Sequence, residues 1–299
     1  MEIWIYFTLL AALMQAVRTA GQKQLSGKLN AMATTGVRYI YALPFAWLYL
    51  WWLLDYREVT TPQLTPDFLQ YALIACVMQI IGTACLVAAF RYKNFAVATS
   101  LAKTEAIQVA VVGALLFSAP LTGLGLFSII VGVVGVFLVS KVKFSAKALF
   151  ADKDALSGVG FGLSAGLGLA ITTLLIRESS LALNTDLMVS AAVTLVFMIT
   201  VQTAISIVYV YFQDKSQFPL MLKYWRLCLF VGITSVLGSI GWFTGASYQN
   251  AAFVKALGQV EFFITLALTY RVFKETVTAK EYLGMFLIVL SVVILLLWA

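Results

Sequence analysis

Six ionisable residues stand inside otherwise apolar runs of this 299-residue chain: Arg18, Arg38, Lys103, Glu105, Lys255 and Glu261. A charge at the centre of a bilayer costs about 2.5–3.5 kcal/mol on insertion scales, so each such group must find a partner or face water. Four cations against two carboxylates leave a positive balance. That balance suits a molecule carrying a carboxylate or phosphate, or an amphoteric one whose amine meets a glutamate. Arg18 and Arg38 offer planar, permanently charged forks for an anion. Glu105 and Glu261 are the carboxylates able to titrate when buried, and so to couple movement to protons. Lys103 and Glu105 are two residues apart on one helix, roughly 200° around it, and cannot pair with each other. Cross-pairs are therefore expected: Glu105 with Lys255 or Arg38, and Glu261 with Lys103 or Arg18. The competing account of all six is a salt-bridge network that only holds helices together. Arg18 lies near the end of its run, where snorkelling to the interface is an equally good account.

Neutral polar residues extend this set. Gln15, Thr99, Ser100, Thr104 and Gln108 accompany the charges of the first half, and Gln259 follows Lys255 by one helical turn on the same face. Thr265 follows Glu261 in the same way, and Trp242 lies deep within its own run, where it can stack or donate a hydrogen bond. The candidate substrate-binding set is thus Arg18, Arg38, Lys103, Glu105, Trp242, Lys255, Gln259 and Glu261. Other chemistries are poorly served. There is no histidine, and the three cysteines, Cys76, Cys85 and Cys228, lie in apolar runs without metal-ligand spacing. No metal, no cofactor and no enzymatic activity are expected.

The elements that must position these residues follow from composition. Hydrophobic residues make up 62% and charged residues 11%, against roughly 25% charged in a soluble domain. The mean hydropathy is +0.96. An all-α integral membrane protein is the class that fits, because backbone groups in lipid need internal partners and the runs are near 20 residues long. Ten spans are expected at about 3–22, 32–54, 68–90, 95–117, 122–140, 155–176, 186–211, 225–246, 251–270 and 279–298. Of the 20 Lys and Arg, 14 lie in loops after odd-numbered spans, and only Arg57 and Arg177 lie on the other face. By the positive-inside rule the odd loops are cytoplasmic and both termini are outside. The basic 141–154 stretch reads as a linker near anionic lipid, not as a nucleic-acid site. Trp4, Trp51, Trp52, Trp225 and Trp298 read as interface anchors. Gly158, Gly160, Gly162, Gly166 and Gly168, with Gly132, Gly135 and Gly284, read as close helix contacts.

The chain repeats itself at an offset of 156 residues. Tyr92-Lys93-Asn94 matches Tyr248-Gln249-Asn250, Gly82 matches Gly238, Leu101 matches Leu257 and Glu105 matches Glu261. Five spans per repeat is an odd number, so the second copy enters the membrane in the opposite sense. Two inverted five-helix repeats, 1–150 with the basic linker and 151–299, imply substrate bound near the midplane between them.

The segments 92–140 and 248–296 carry a resemblance to a known family. The second reads Tyr248-x-Asn250-Ala251-Ala252, then Lys255-Ala256-Leu257-Gly258-Gln259-Val260-Glu261, then Phe273-Lys274-Glu275 and Tyr282-Leu283-Gly284. The chain resembles a ten-helix member of the drug/metabolite transporter superfamily, of the kind built from two EamA repeats. It departs from the family pattern at Ser118-Ala119, where the second half has Lys274-Glu275. The resemblance implies a secondary transporter, more often an exporter, of a small polar metabolite such as an amino acid or organic anion. It also implies cytoplasmic termini, the reverse of what the charge count gives. The alternatives are a flippase for a lipid or lipid-linked anionic substrate, and a carrier of phosphate-bearing sugars or nucleotides. The expected setting is the cytoplasmic membrane. The expected partners are a small-molecule substrate and membrane lipid, with no nucleic acid, in a monomer or weak homodimer.

Overall fold

The computed structural model describes residues 2–89, 102, 104–117, 122–139, 153–261, 264 and 279–298, and their regular structure is helical. The first half holds α1 (Ile3–Ser26), α2 (Ala31–Ile40), α3 (Leu43–Arg57), α4 (Pro66–Ala89), α5 (Glu105–Leu116) and α6 (Gly123–Val139). The second holds α7 (Lys153–Ala182), α8 (Leu187–Gln213), α9 (Gln217–Lys223), α10 (Trp225–Tyr248), α11 (Ala251–Gly258) and α12 (Ala279–Trp298). Among the described residues, α1, α4, α7, α8 and α10 are long and apolar enough to cross a membrane, while α5, α6 and α12 contribute shorter apolar stretches.

Three expected spans differ in ways that matter for the site. The 32–54 run is not one helix. It breaks after Ile40 and restarts at Leu43, with Pro44 in the first turn of α3. Proline has no N–H to return to the carbonyl of Ile40, so the ladder stops there. The 155–176 run continues to Ala182, which places Arg177 within α7 and not in an outer loop. The 251–270 run is interrupted. After α11 the chain tightens through Gln259 N–H to Ala256 O (3.1 Å) and Val260 N–H to Leu257 O (3.1 Å), the i→i+3 pattern of a 3₁₀ turn. Helix resumes at Glu261. In the first half a turn at Thr104 precedes the start of α5 at Glu105. Thr104 and Val260 are repeat-equivalent, so both intramembrane glutamates open a helix just after an interruption.

The packing follows the repeat. Helix α1 lies along α10, α4 along α7 and α6 along α12, while α5 meets α11, and α8 meets α2 and α3. The offset of 156 carries α1 onto α7, α4 onto α10, α6 onto α12 and the α2–α3 segment onto α8, so the first two pairings exchange and those of α6 with α12 and of α8 with α2 and α3 map onto themselves. In lipid, where apolar burial between helices gains little, close packing must hold such pairs. Glycine allows it where α4 crosses α7. A Cβ on Gly82 would sit 3.0 Å from the Leu169 nitrogen and 3.2 Å from the Ala165 oxygen, and one on Gly168 would sit 3.0 Å from the Gly82 Cα. Gly135 meets the Gly284 carbonyl in the same manner where α6 crosses α12.

The start of α2 is fixed from a distant corner. Asn30 Oδ1 accepts from Ala33 N–H (2.7 Å), capping the helix, while the Asn30 N–H donates to Gln217 Oε1 (3.0 Å). Gln217 Nε2 donates in turn to Asp214 Oδ2 (2.6 Å), whose other oxygen accepts from the Ser216 hydroxyl (2.6 Å). The bonds from Ser216 and Gln217 hold the exposed Asp214 carboxyl below the ordinary aspartate pKa. Trp51, Trp52 and Trp225 are exposed on the outside, but Trp4 is buried and donates its indole N–H to Glu2, so it does not stand at the surface as an anchor.

Candidate functional site

The interruptions before Glu105 and Glu261 meet at the centre of the molecule, where α5 packs on α11. A carboxylate in the first turn of a helix accepts stabilisation from the free N–H groups and the positive end of the dipole. Glu105 is so placed, and it is buried. Lys255, in the last turn of α11, reaches it across the contact with Nζ 2.7 Å from Glu105 Oε1. This is one of the expected cross-pairs. It joins the two halves of the chain.

The lysine has a second contact. Its Nζ sits 4.0 Å from the centre of the Trp242 ring, within the range of a cation–π interaction. The ring is held independently of the lysine. Its Nε1 donates to Gln15 Oε1 (2.9 Å), and its six-membered edge lies against Gly258, where no Cβ fits. Gln15 binds on three sides: it also accepts from Arg18 Nη2 (3.4 Å) and donates through Nε2 to Glu261 Oε2 (3.0 Å). Gln15 thus ties α1 to α10 and to the second glutamate. Its only signal in the sequence is an amide in the middle of an apolar run.

These groups enclose a cavity of about 20 Å³ lined by Gln15, Glu105, Trp242, Lys255, Gln259 and Glu261, enough for a single water molecule. Gln259 is buried, and among the described residues neither its amide oxygen nor its amide nitrogen has a hydrogen-bond partner. The equivalent residue of the first half, Lys103, lies outside the described residues. So do Tyr92 through Ser100 and Thr265, and the loops at 118–121 and 274–277.

The two arginines are placed otherwise. Arg18 is buried within α1, eight residues before its end, so it does not snorkel. Glu261 and Glu105 both act on it electrostatically, as does the like charge of Arg38, but no carboxylate bonds it among the described residues. Arg38, also buried, donates from Nη1 to the Thr83 hydroxyl (2.9 Å), with its guanidinium 5.1 Å from the Tyr39 ring. The expected alternative of Arg38 pairing with Glu105 is therefore not what the molecule forms. The Nε of each arginine is buried without a hydrogen-bond partner among the described residues. Arg177, expected in a loop, caps the end of α10: Nη1 donates to the carbonyls of Ala246 (2.8 Å), Ser247 (3.3 Å) and Gln249 (2.7 Å). These are orphan carbonyls of a helix C-terminus, where a cation is favoured.

Comparison with known proteins agrees with this architecture. The model of the EamA-like transporter family matches the chain twice, over residues 2–141 and 156–297. No curated protein matches it. A solved crystal structure described only as that of a protein superposes with a TM-score of 0.73 at 12% sequence identity, over 99% of this chain and 97% of the other. At that identity the likeness speaks for the fold alone.

Proposed function

The chain belongs to the EamA-like transporter family of multi-pass membrane proteins, and from that premise we propose that it is a secondary transporter working by alternating access around the central charged site. Its ten spans form two inverted five-helix repeats in the cytoplasmic membrane, with both termini outside. Its cargo is a small polar metabolite, such as an amino acid or organic anion, and the direction is export. The observation that supports this reading is the Lys255–Glu105 pair across the α5–α11 contact, because charge held at the meeting of two broken helices is where transporters of inverted-repeat design bind substrate. Trp242, Gln259, Glu261 and Arg18 complete the site, with Lys103 beside them in sequence. Glu105 and Glu261 are the carboxylates in reach for proton coupling.

A cavity with room for one water admits no metabolite, so loading requires the α5–α11 and α1–α10 contacts to part. The test is solute flux in proteoliposomes. Lys255→Ala and Glu261→Gln are each expected to lose flux by more than tenfold while the protein stays folded. Wild-type rates in both variants sink the assignment. A second reading, a phosphate-bearing cargo or lipid headgroup, is favoured by Arg38 and Arg18, two buried guanidiniums with no bonded carboxylate among the described residues. It is distinguished by loss of flux in Arg38→Gln for phosphorylated solutes alone.

A further inference from the structure

The surroundings of the Lys255 ammonium have the form of a ligand site. A carboxylate lies 2.7 Å from Nζ, and an aromatic face lies 4.0 Å from it. This pair of contacts is how proteins recognise amines and alkylammonium ions. The site does not depend on the lysine for its shape. Trp242 is oriented by Gln15 and Gly258, and Glu105 is set by the start of α5. Gln259, one turn beyond Lys255, lines the same small cavity, and its amide has no hydrogen-bond partner among the described residues. If the lysine swung out on its flexible four-carbon stem, a preformed cation site with a spare hydrogen-bonding group would remain.

We propose that Lys255 is a tethered stand-in for the ammonium group of the transported molecule, which displaces it from Glu105 and Trp242. This rests on the transport reading above and names its substrate class: a small molecule with a primary or alkylated ammonium group. A carboxylate enclosed in this way is costly to leave without a countercharge. Lys255 supplies one when the site is empty, and the cargo supplies one when it is loaded. Exchanging one ammonium for another keeps Glu105 paired while the displaced Lys255 carries its charge out of the site, so the empty carrier can reorient without a co-transported ion at Glu105. Proton coupling, where it occurs, then falls to Glu261.

The experiment measures binding first and flux second. Wild-type protein in nanodiscs is titrated with n-propylammonium and with propionate. Propylammonium is expected to bind and propionate not to. Lys255→Met removes the competitor, so propylammonium affinity is expected to rise at least tenfold, whereas Glu105→Gln lowers it at least tenfold. Weaker amine binding in Lys255→Met, or binding of propionate in place of the amine, overturns the proposal. In proteoliposomes Lys255→Met is expected to lose net amine efflux while labelled amine still exchanges across the membrane. If wild-type protein moves no solute yet Lys255→Met binds amine more tightly, the transport reading fails and the displaced-lysine reading stands. Should Lys255→Met not fold, acylation of Lys255 in the wild-type protein by an N-hydroxysuccinimide ester decides. Tetramethylammonium, which cannot react with the ester, is expected to raise the rate several-fold by freeing the lysine, and an unchanged rate overturns the proposal.

Discussion

The pairing of α1 with α10 and that of α4 with α7 are the same contact in two copies of the repeat, and they hold different chemistry. On the α1–α10 side stand Gln15, Arg18 and Trp242. Their repeat-equivalents on the α7–α4 side are Ile171, Leu174 and Leu86. One side is wired by hydrogen bonds from Trp242 and Arg18 to Gln15 and from Gln15 to Glu261. The other closes backbone against backbone at Gly82 and Gly168, as the first also does at Gly241 against Phe7, but carries none of these polar groups. Duplication supplied a symmetric frame, and the polar groups accumulated on one flank of it. The apolar flank gives rigidity, and the polar flank has groups with something to exchange.

The largest expected effect tests what holds the polar flank in place. Arg177→Met removes three charge-assisted bonds to the end of α10, at about 1.5–3 kcal/mol for hydrogen bonds to a charged group. A clear fall in melting temperature is expected, together with loss of flux, because the α10–α11 corner that carries Trp242 and Lys255 is released. Unchanged melting removes Arg177 from this role. Next is a contrast between equivalent glycines. Gly82→Ala pushes a Cβ into backbone atoms that cannot yield and should destabilise by roughly 1–3 kcal/mol. Gly238→Ala meets the Met14 Cβ at 3.3 Å and the Ala11 oxygen at 3.8 Å, and should stay within about 0.5 kcal/mol. Equal melting shifts would mean that the two flanks are packed alike.

Trp242→Leu installs the residue of the other flank. Loss of the cation–π contact and of the bond to Gln15 should reduce amine binding about tenfold, near 1.4 kcal/mol, and the cavity left by this buried ring should also lower the melting temperature. The reciprocal Leu86→Trp should create no binding. The smallest effect is at the loop. The Asp214 pKa is lower in the folded protein than its ordinary 3.8. Its contribution to stability is therefore present above that value and lost as pH falls through the lower, folded pKa. Asp214→Asn should lower melting slightly at neutral pH and flatten the acid side of the melting profile. A profile identical to wild type would detach this corner from the placement of α2.

Much of this was legible in the residues. The offset pairs Glu105 with Glu261, but both stand within continuous apolar runs, and the interruption before each was not legible because the hydrophobicity runs on through it. Lys255 and Glu105 stood out because charge in an apolar run demands a partner, and they are each other's. The identity of the partner among several cations was not legible, because it depends on which helices cross. The same is true of Arg18, whose depth depends on how far α1 extends. Arg177 read as a loop charge because the polar end of α7 looks like a loop until its partner, the end of α10, is in place. Gln15 was one amide among several polar residues, and its central position comes only from the rotation of α1 against α10. The break at Tyr41 and Ala42 had a signal in Pro44, which the continuous hydrophobicity of the run concealed.

The one-water cavity between Glu105, Trp242 and Gln259 has a meaning for the cell as well as for the cargo. A file of waters is what carries protons through proteins, and a single isolated water makes no file. With Lys255 seated, this cavity by itself offers protons no such file, which at this point spares the cell's proton gradient.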